Sequence, residues 1–155
     1  LAHNGTIFDY PRQNPYLHQQ EGRTDSERIL YFLVDQINLR QLELGRALTQ
    51  EERFALLDEL VSDMAQGNKL NLLIYDGELL YVHTNYVKSL YYGQREDAML
   101  FATTPLDRGS WNDHPFTTLC AYRDGRRLFM GTNHGKEYLD NDKDMHMIFA
   151  DYAGL

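Results

Sequence analysis

Cysteine, proline and positive charge are all scarce in this chain of 155 residues, and each shortage removes a class of protein. Cys120 is the single cysteine, so no internal disulfide forms. A lone thiol fits a reducing compartment, and we expect a cytoplasmic protein. No apolar run approaches the ~18 residues of a membrane span, which leaves no membrane partner. A secretory signal pattern is missing, and so is an initiator Met: the chain starts abruptly at Leu1. Fifteen Lys and Arg face 23 Asp and Glu, giving a net charge of -8 with the acids scattered. Nucleic-acid phosphates would meet a repulsive field there, so a nucleic-acid partner is not expected. What remains is ordinary: 43% apolar and 25% charged residues over a length that buries one core. We read residues 1–155 as a single domain. Eleven tyrosines point to a strand-rich body.

Two short pieces near the start organise the chain. Leu1-Ala2 reads as the end of a strand, running into a turn at His3-Asn4-Gly5, where glycine carries no Cβ penalty. Thr6 to Arg23 holds Pro11, Pro15 and Gly22 without a sustained period. It reads as a long loop, with a helical turn near Asn14 to Gln19. Thr24-Asp25-Ser26-Glu27 has the spacing of a capping box, with Asp25 in the first turn, where the helix dipole favours a carboxylate. Ile29, Leu30, Phe32, Leu33, Val34 and Ile37 then cover more than one face, which predicts a sandwiched helix ending near Asn38 to Gln41.

Thr49-Gln50-Glu51-Glu52 repeats the capping spacing. Phe54, Leu57, Leu60, Val61 and Met64 form one stripe behind it, and Gly67 sits where a C′ glycine belongs. From Leu70 the period changes to that of strands. Leu70 to Tyr75 and Glu78 to His83 flank the hairpin signal Asp76-Gly77. Tyr86 to Tyr92 pairs with Met99 to Thr103, and Thr117 to Tyr122 pairs with Arg126 to Met130 across Asp124-Gly125. Helices followed by about six strands predict an α+β fold, with helices packed on a mainly antiparallel sheet. The tail from about residue 132 is polar and unassigned, with a last helix expected at Met145 to Tyr152.

Chemistry is sparse. An Asn4 amide beside the Gly5 N–H can aim two donors at one oxyanion, although Asn-Gly is equally a turn dipeptide. Asp25 can serve its own helix or meet a substrate ammonium. Cys120 lies in an apolar stretch and reads as core rather than nucleophile. His3, His18, His83, His114, His134 and His146 show no metal-ligand spacing. Asp140, Asp142 and Asp144 imitate the start of a calcium loop, with Asp151 at its twelfth place, but Met145 stands where glycine is needed. Gly-rich phosphate loops are absent. We therefore expect neither metal nor cofactor.

Ala2-His3-Asn4-Gly5 with Thr24-Asp25-Ser26-Glu27 resembles the class II glutamine amidotransferases, which are N-terminal-nucleophile (Ntn) hydrolases. Asn71-Leu72-Leu73-Ile74-Tyr75-Asp76-Gly77, Phe101-Ala102-Thr103-Thr104-Pro105-Leu106 and Trp111 resemble the small bacterial stand-alone branch. The resemblance covers most of Leu1 to Gly131 and implies part of an αββα sandwich. It also implies hydrolysis of glutamine to glutamate and ammonia through a cysteine thioester. Asn4 and Gly5 would form the oxyanion hole, and Asp25 would bind the α-ammonium of glutamine.

The nucleophilic cysteine and the arginine for the substrate carboxylate precede His-Asn-Gly in that family. The expectation is therefore that this chain is a C-terminal portion, inactive alone and partnered by the missing N-terminal segment or by its own copies in a homo-oligomer. Hydrolysis of another γ-glutamyl amide, or a non-catalytic binding module on the same fold, are the alternatives.

Overall fold

The computed structural model describes residues 1–146. The element order is β1 (Ala2–Thr6), a 3-10 helix (Pro11–His18), α1 (Asp25–Leu44), α2 (Gln50–Met64), β2 (Lys69–Tyr75), β3 (Leu80–His83), β4 (Tyr91–Gln94), β5 (Met99–Ala102), β6 (Asn112–Asp113), β7 (Cys120–Arg123) and β8 (Arg126–Met130). Residues 142–146 are helical. The rest of the helix expected over Met145 to Tyr152 lies outside the described residues, as does Asp151. The α+β expectation holds, with one change: the strands form two sheets, ordered β1-β2-β3-β7-β8 and β5-β4-β6, and every pairing is antiparallel.

Alternation along the strands builds the layers. Leu70, Leu72 and Ile74 of β2 point to one face and join Tyr81 and Ala121 in a core with Ile29, Phe32, Leu33, Leu57, Leu60, Val61 and Met64 of the two helices. Leu73, Val82, Cys120 and Tyr122 point to the other face. They meet Leu90, Met99 and Phe101 of the small sheet, with the Phe101 and Tyr122 rings 5.0 Å apart. Helices, large sheet and small sheet are thus three successive layers.

The helix ends divide. At α2 the capping box forms: Thr49 Oγ1 accepts from Glu52 N–H (3.2 Å), and Glu52 accepts from Thr49 N–H (2.9 Å). At α1 it does not. Thr24 is the N-cap residue but makes no side-chain cap bond. Glu27 turns back to accept the Glu21 and Gly22 amides at 2.8 and 2.9 Å, tying down the end of the long loop. Two loop amides offer a carboxylate a bidentate grip that a single cap amide cannot match.

Helix α1 also runs a turn further than its pattern suggests, to Leu44, where Gly45 in the left-handed region (φ 67°) stops it. Nor is it sandwiched. Only Ile29, Phe32 and Leu33 are fully buried, while Leu30, Val34 and Leu39 are exposed and Leu42 is 78% exposed. One layer lies against this helix, so its extra apolar residues point outward.

Gly5 is a further correction. It sits inside strand β1 rather than in a turn, opposite Leu70, and its φ is not positive. Glycine is required there by space. A Cβ would stand 2.6 Å from His3 Nε2 and 2.8 Å from the Lys69 carbonyl carbon, and closer still to its oxygen.

Candidate active site

The residues singled out near the start of the chain converge on one edge of the large sheet. Strand β1 is that edge, and the alternation of an antiparallel ladder decides which of its amides are free. Leu70 N–H donates to Asn85 Oδ1, and Leu70 O accepts from His83 Nδ1, so the Leu70 main chain faces β3. Its partner Gly5 therefore belongs to a non-hydrogen-bonded pair, and the Gly5 amide points outward along the open edge. Ile7 has the same orientation two residues on, and its N–H donates to Asp25 Oδ2 at 2.8 Å. The Gly5 N–H and the Asp25 carboxylate thus lie along the same open edge, the first within β1 and the second against the residue that follows it.

Asp25 reaches that edge because it opens α1, whose N-terminus abuts β1. Its other oxygen lies 3.3 Å from His3 Nδ1, and His3 Nε2 donates to Lys69 O at 3.2 Å. The His3 ring is buried and held in the space that Gly5 leaves open. Burial opposes ionisation of Asp25. The His3 contact and the Ile7 and Ser26 amides outweigh it, so the carboxyl sits below its ordinary range. An anion poised at an open edge can take an ammonium.

Asn4 emerges on the opposite face of β1 from His3 and Gly5, because successive strand residues alternate. Its register partner is Asn71, which accepts from the Thr84 hydroxyl (2.6 Å) and donates to Ser89 Oγ (2.9 Å). Asn4 itself is exposed and makes no side-chain hydrogen bond among the described residues. The structure thus brings Gly5 and Asp25 together and places Asn4 on the far side of the same edge.

Cys120 is buried in mid-strand β7, and burial pushes its thiol up. A buried, protonated thiol is not an activated nucleophile. His3 escapes sequence reasoning as a positioning group, since nothing in its spacing from Asp25 announces the contact. The other histidines are scattered in sequence, yet His83 and His134 stack at 5.2 Å with their Nε2 atoms 2.9 Å apart. Among the described residues no cluster of three or more His, Cys, Asp or Glu could hold a metal ion. No helix among them is long and apolar enough to cross a membrane.

The fold has counterparts among known proteins. The family described as glutamine amidotransferases class II matches residues 1–98. The chain belongs to the class II glutamine amidotransferases. It is similar to the crystal structure of a predicted glutamine amidotransferase from Pseudomonas aeruginosa, with a TM-score of 0.68 and 20% identity, over 83% of this chain and 58% of that one. An uncharacterised protein of Methanocaldococcus jannaschii is 24% identical over 83% of this chain and 42% of its own length. The chain thus spans about half the length of the relatives it matches.

Proposed function

We propose that the protein containing this chain hydrolyses the side-chain amide of glutamine, with this chain supplying the oxyanion and ammonium sites. A cysteine thiolate from residues outside the chain attacks the amide carbon, ammonia leaves, and water releases glutamate from the thioester. The Gly5 N–H and the Asn4 amide stabilise the tetrahedral oxyanion, and Asp25 pairs with the α-ammonium. An ion pair there also rejects amides that lack the ammonium. The observation that carries this reading is the open edge of β1. The outward Gly5 donor and the Asp25 carboxylate share one open edge, where they can meet the two ends of one small amino-acid amide.

The test is steady-state kinetics of glutamate release by the longer protein. Asn4→Ala lowers kcat by about a hundredfold, the usual loss for one oxyanion donor. Asp25→Ala raises KM for glutamine by tenfold or more with a smaller change in kcat. Equal and negligible effects from both substitutions would sink the assigned roles. The 155-residue chain alone releases no ammonia from glutamine, and activity from it would show the nucleophile to lie within it. Comparable kcat/KM for glutamine and for another γ-glutamyl amide would move the substrate assignment.

The exposed Leu30, Val34, Leu39 and Leu42 of α1 bear on partners. We propose that the remaining polypeptide of the longer protein, or a second copy of the chain, covers part of this exposed apolar surface. Sedimentation velocity on the isolated chain then shows self-association, and a clean monomer at high concentration would count against it.

A further inference from the structure

No strand follows β8 among the described residues. Residues 131–138 instead run as a strap past the start of β7 and the end of β3. The Gly131, His134 and Tyr138 amides donate to the carbonyls of Leu119, Thr117 and Asn85 at 2.8, 3.0 and 2.8 Å. Helix α2 holds the strap as well: Thr132 N–H donates to Asp58 Oδ2 at 3.1 Å, and Lys136 Nζ donates to Ser62 O at 2.8 Å.

The strap reaches the β1 edge through Leu70, the register partner of Gly5. Strand β3 ends at His83, opposite Leu72, so its ladder stops short of Leu70. Two buried side chains stand in for the missing ladder. Asn85 Oδ1 accepts from Leu70 N–H at 2.8 Å, and His83 Nδ1–H donates to Leu70 O at 2.8 Å. The strap holds both of them. Asn85 Nδ2 donates to Lys136 O at 3.2 Å, and His134 Nε2–H donates to His83 Nε2 at 2.9 Å. Further on, Tyr138 stacks on Phe8 at 5.6 Å, one residue past the Ile7 amide that bonds Asp25.

The contact between the two histidines holds a single proton. A carbonyl only accepts, so His83 carries its hydrogen on Nδ1 and offers Nε2 as an acceptor. Lys136 N–H donates to His134 Nδ1 at 3.0 Å, so a second proton on that ring would meet a donor already in place. We propose that residues 131–138 are an acid-released strap: closed, it fixes the Leu70 main chain opposite Gly5, and protonation of His134 opens it and loosens the β1 edge. His114 faces His83, Lys136 faces His134, and α2 presents Asp58 to Thr132 and Asp63 to Lys136. Burial, reinforced by Lys136, pushes His134 down to about 4. Above about pH 6.5 the ring is neutral with the strap open or closed, and opening does not depend on pH. From there down to about 4 the open strap binds a proton that the closed strap refuses, so opening rises about tenfold per pH unit. Asp58, whose carboxyl burial raises, works in the opposite sense. Only the bearing on glutamine rests on the function proposed above.

Hydrogen exchange of the longer protein, read by mass spectrometry and corrected for the intrinsic effect of pH on exchange, tests this. Fragments spanning the strap, β1 and β7 are compared as the pH falls from about 6.5 to about 5. Exchange in the strap rises about tenfold per pH unit and exceeds that of β7 throughout, and β1 follows the strap. His134→Gln keeps an amide donor for His83 Nε2 but takes up no proton. It removes one tenfold step per pH unit from the strap, with Asp58 common to both proteins. If the variant does not fold, the comparison of strap with β7 in the unsubstituted protein decides. Equal exchange in strap and β7 at every pH would mean global opening alone and would overturn the proposal. Strap exchange independent of pH, a slope unchanged in His134→Gln, or a β1 that does not respond would overturn it too. None of these readings uses glutaminase activity, so the strap and the proposed function fail separately.

Discussion

Gly5→Ala destabilises the protein by about 3 kcal/mol, an overpacking cost without relief. The added methyl meets backbone, the Lys69 carbonyl of the neighbouring strand, and cannot rotate away from it. It also meets the His3 ring, whose Nε2 bonds the same carbonyl and whose Nδ1 faces Asp25. The strand must either separate from β2 or lose the ring that steadies Asp25. For a chain of this length the shift is about 6 to 12 °C in Tm.

Gly45 is the control. It lies in the left-handed region at φ 67° with open space around it, so alanine there costs about 1 kcal/mol of backbone strain. Thermal unfolding of the two variants separates the effects. If Gly45→Ala proves the more damaging, the register of β1 on β2 is wrong.

The second large effect is loss of stability in mild acid. Burial pushes His83 down to about 3, helped by the charges of His134 and His114. Burial likewise pushes His114 and His134 down to about 4. The hydrogen bonds explain why a proton is unwelcome. Lys136 N–H donates to His134 Nδ1, His134 Nε2–H donates to His83 Nε2, and His83 Nδ1–H donates to Leu70 O. Every ring nitrogen of His83 and His134 is committed, and one more proton would set two donors face to face.

Unfolded histidine titrates near 6.5. Above that pH neither state binds the proton, and the histidines leave stability unchanged. Between 6.5 and about 4 the unfolded chain is protonated and the folded one is not. Each buried ring then removes about 1.4 kcal/mol per pH unit. Counting only the deeply buried His83 and His114, about 3 kcal/mol is lost by pH 5.5. Half-buried His134 adds less, and Asp25, whose carboxyl is held low, adds its loss only below about pH 4. Urea midpoints at pH 7, 6 and 5 check this, and a constant midpoint across that range would contradict the buried neutral histidines.

Much of the fold is legible in the order of residues, for reasons that are local. Thr49 and Glu52 are three apart, so their reciprocal cap needs nothing else. Asp76-Gly77 and Asp124-Gly125 set their hairpins locally, with Gly77, Asp124 and Gly125 at positive φ and Asp76 Oδ1 accepting from the Glu78 and Leu79 amides. Where locality fails, so does the reading. Thr24 and Glu27 have the same spacing as Thr49 and Glu52, yet Glu27 is claimed by loop amides at Glu21 and Gly22. The apolar abundance of α1 predicts burial, but burial depends on whether a second layer lies against the helix. The strands after β3 split between two sheets because β7 returns to pair with β3. No alternation pattern encodes that return.

The candidate site shows the same division. Sequence alone singled out Asn4, Gly5 and Asp25 as the candidate donors and acid and read Cys120 as core, because residue type and immediate neighbours suggest such properties. Tertiary structure alone decided their arrangement. Pairing with β2 turned the Gly5 amide outward and made glycine a matter of space rather than of turning. Docking of α1 brought Asp25 to the same edge and into contact with His3. The strand pleat sent Asn4 to the face that holds Asn71, Thr84 and Ser89. These relations join residues tens of positions apart, and only the packed sheet specifies them.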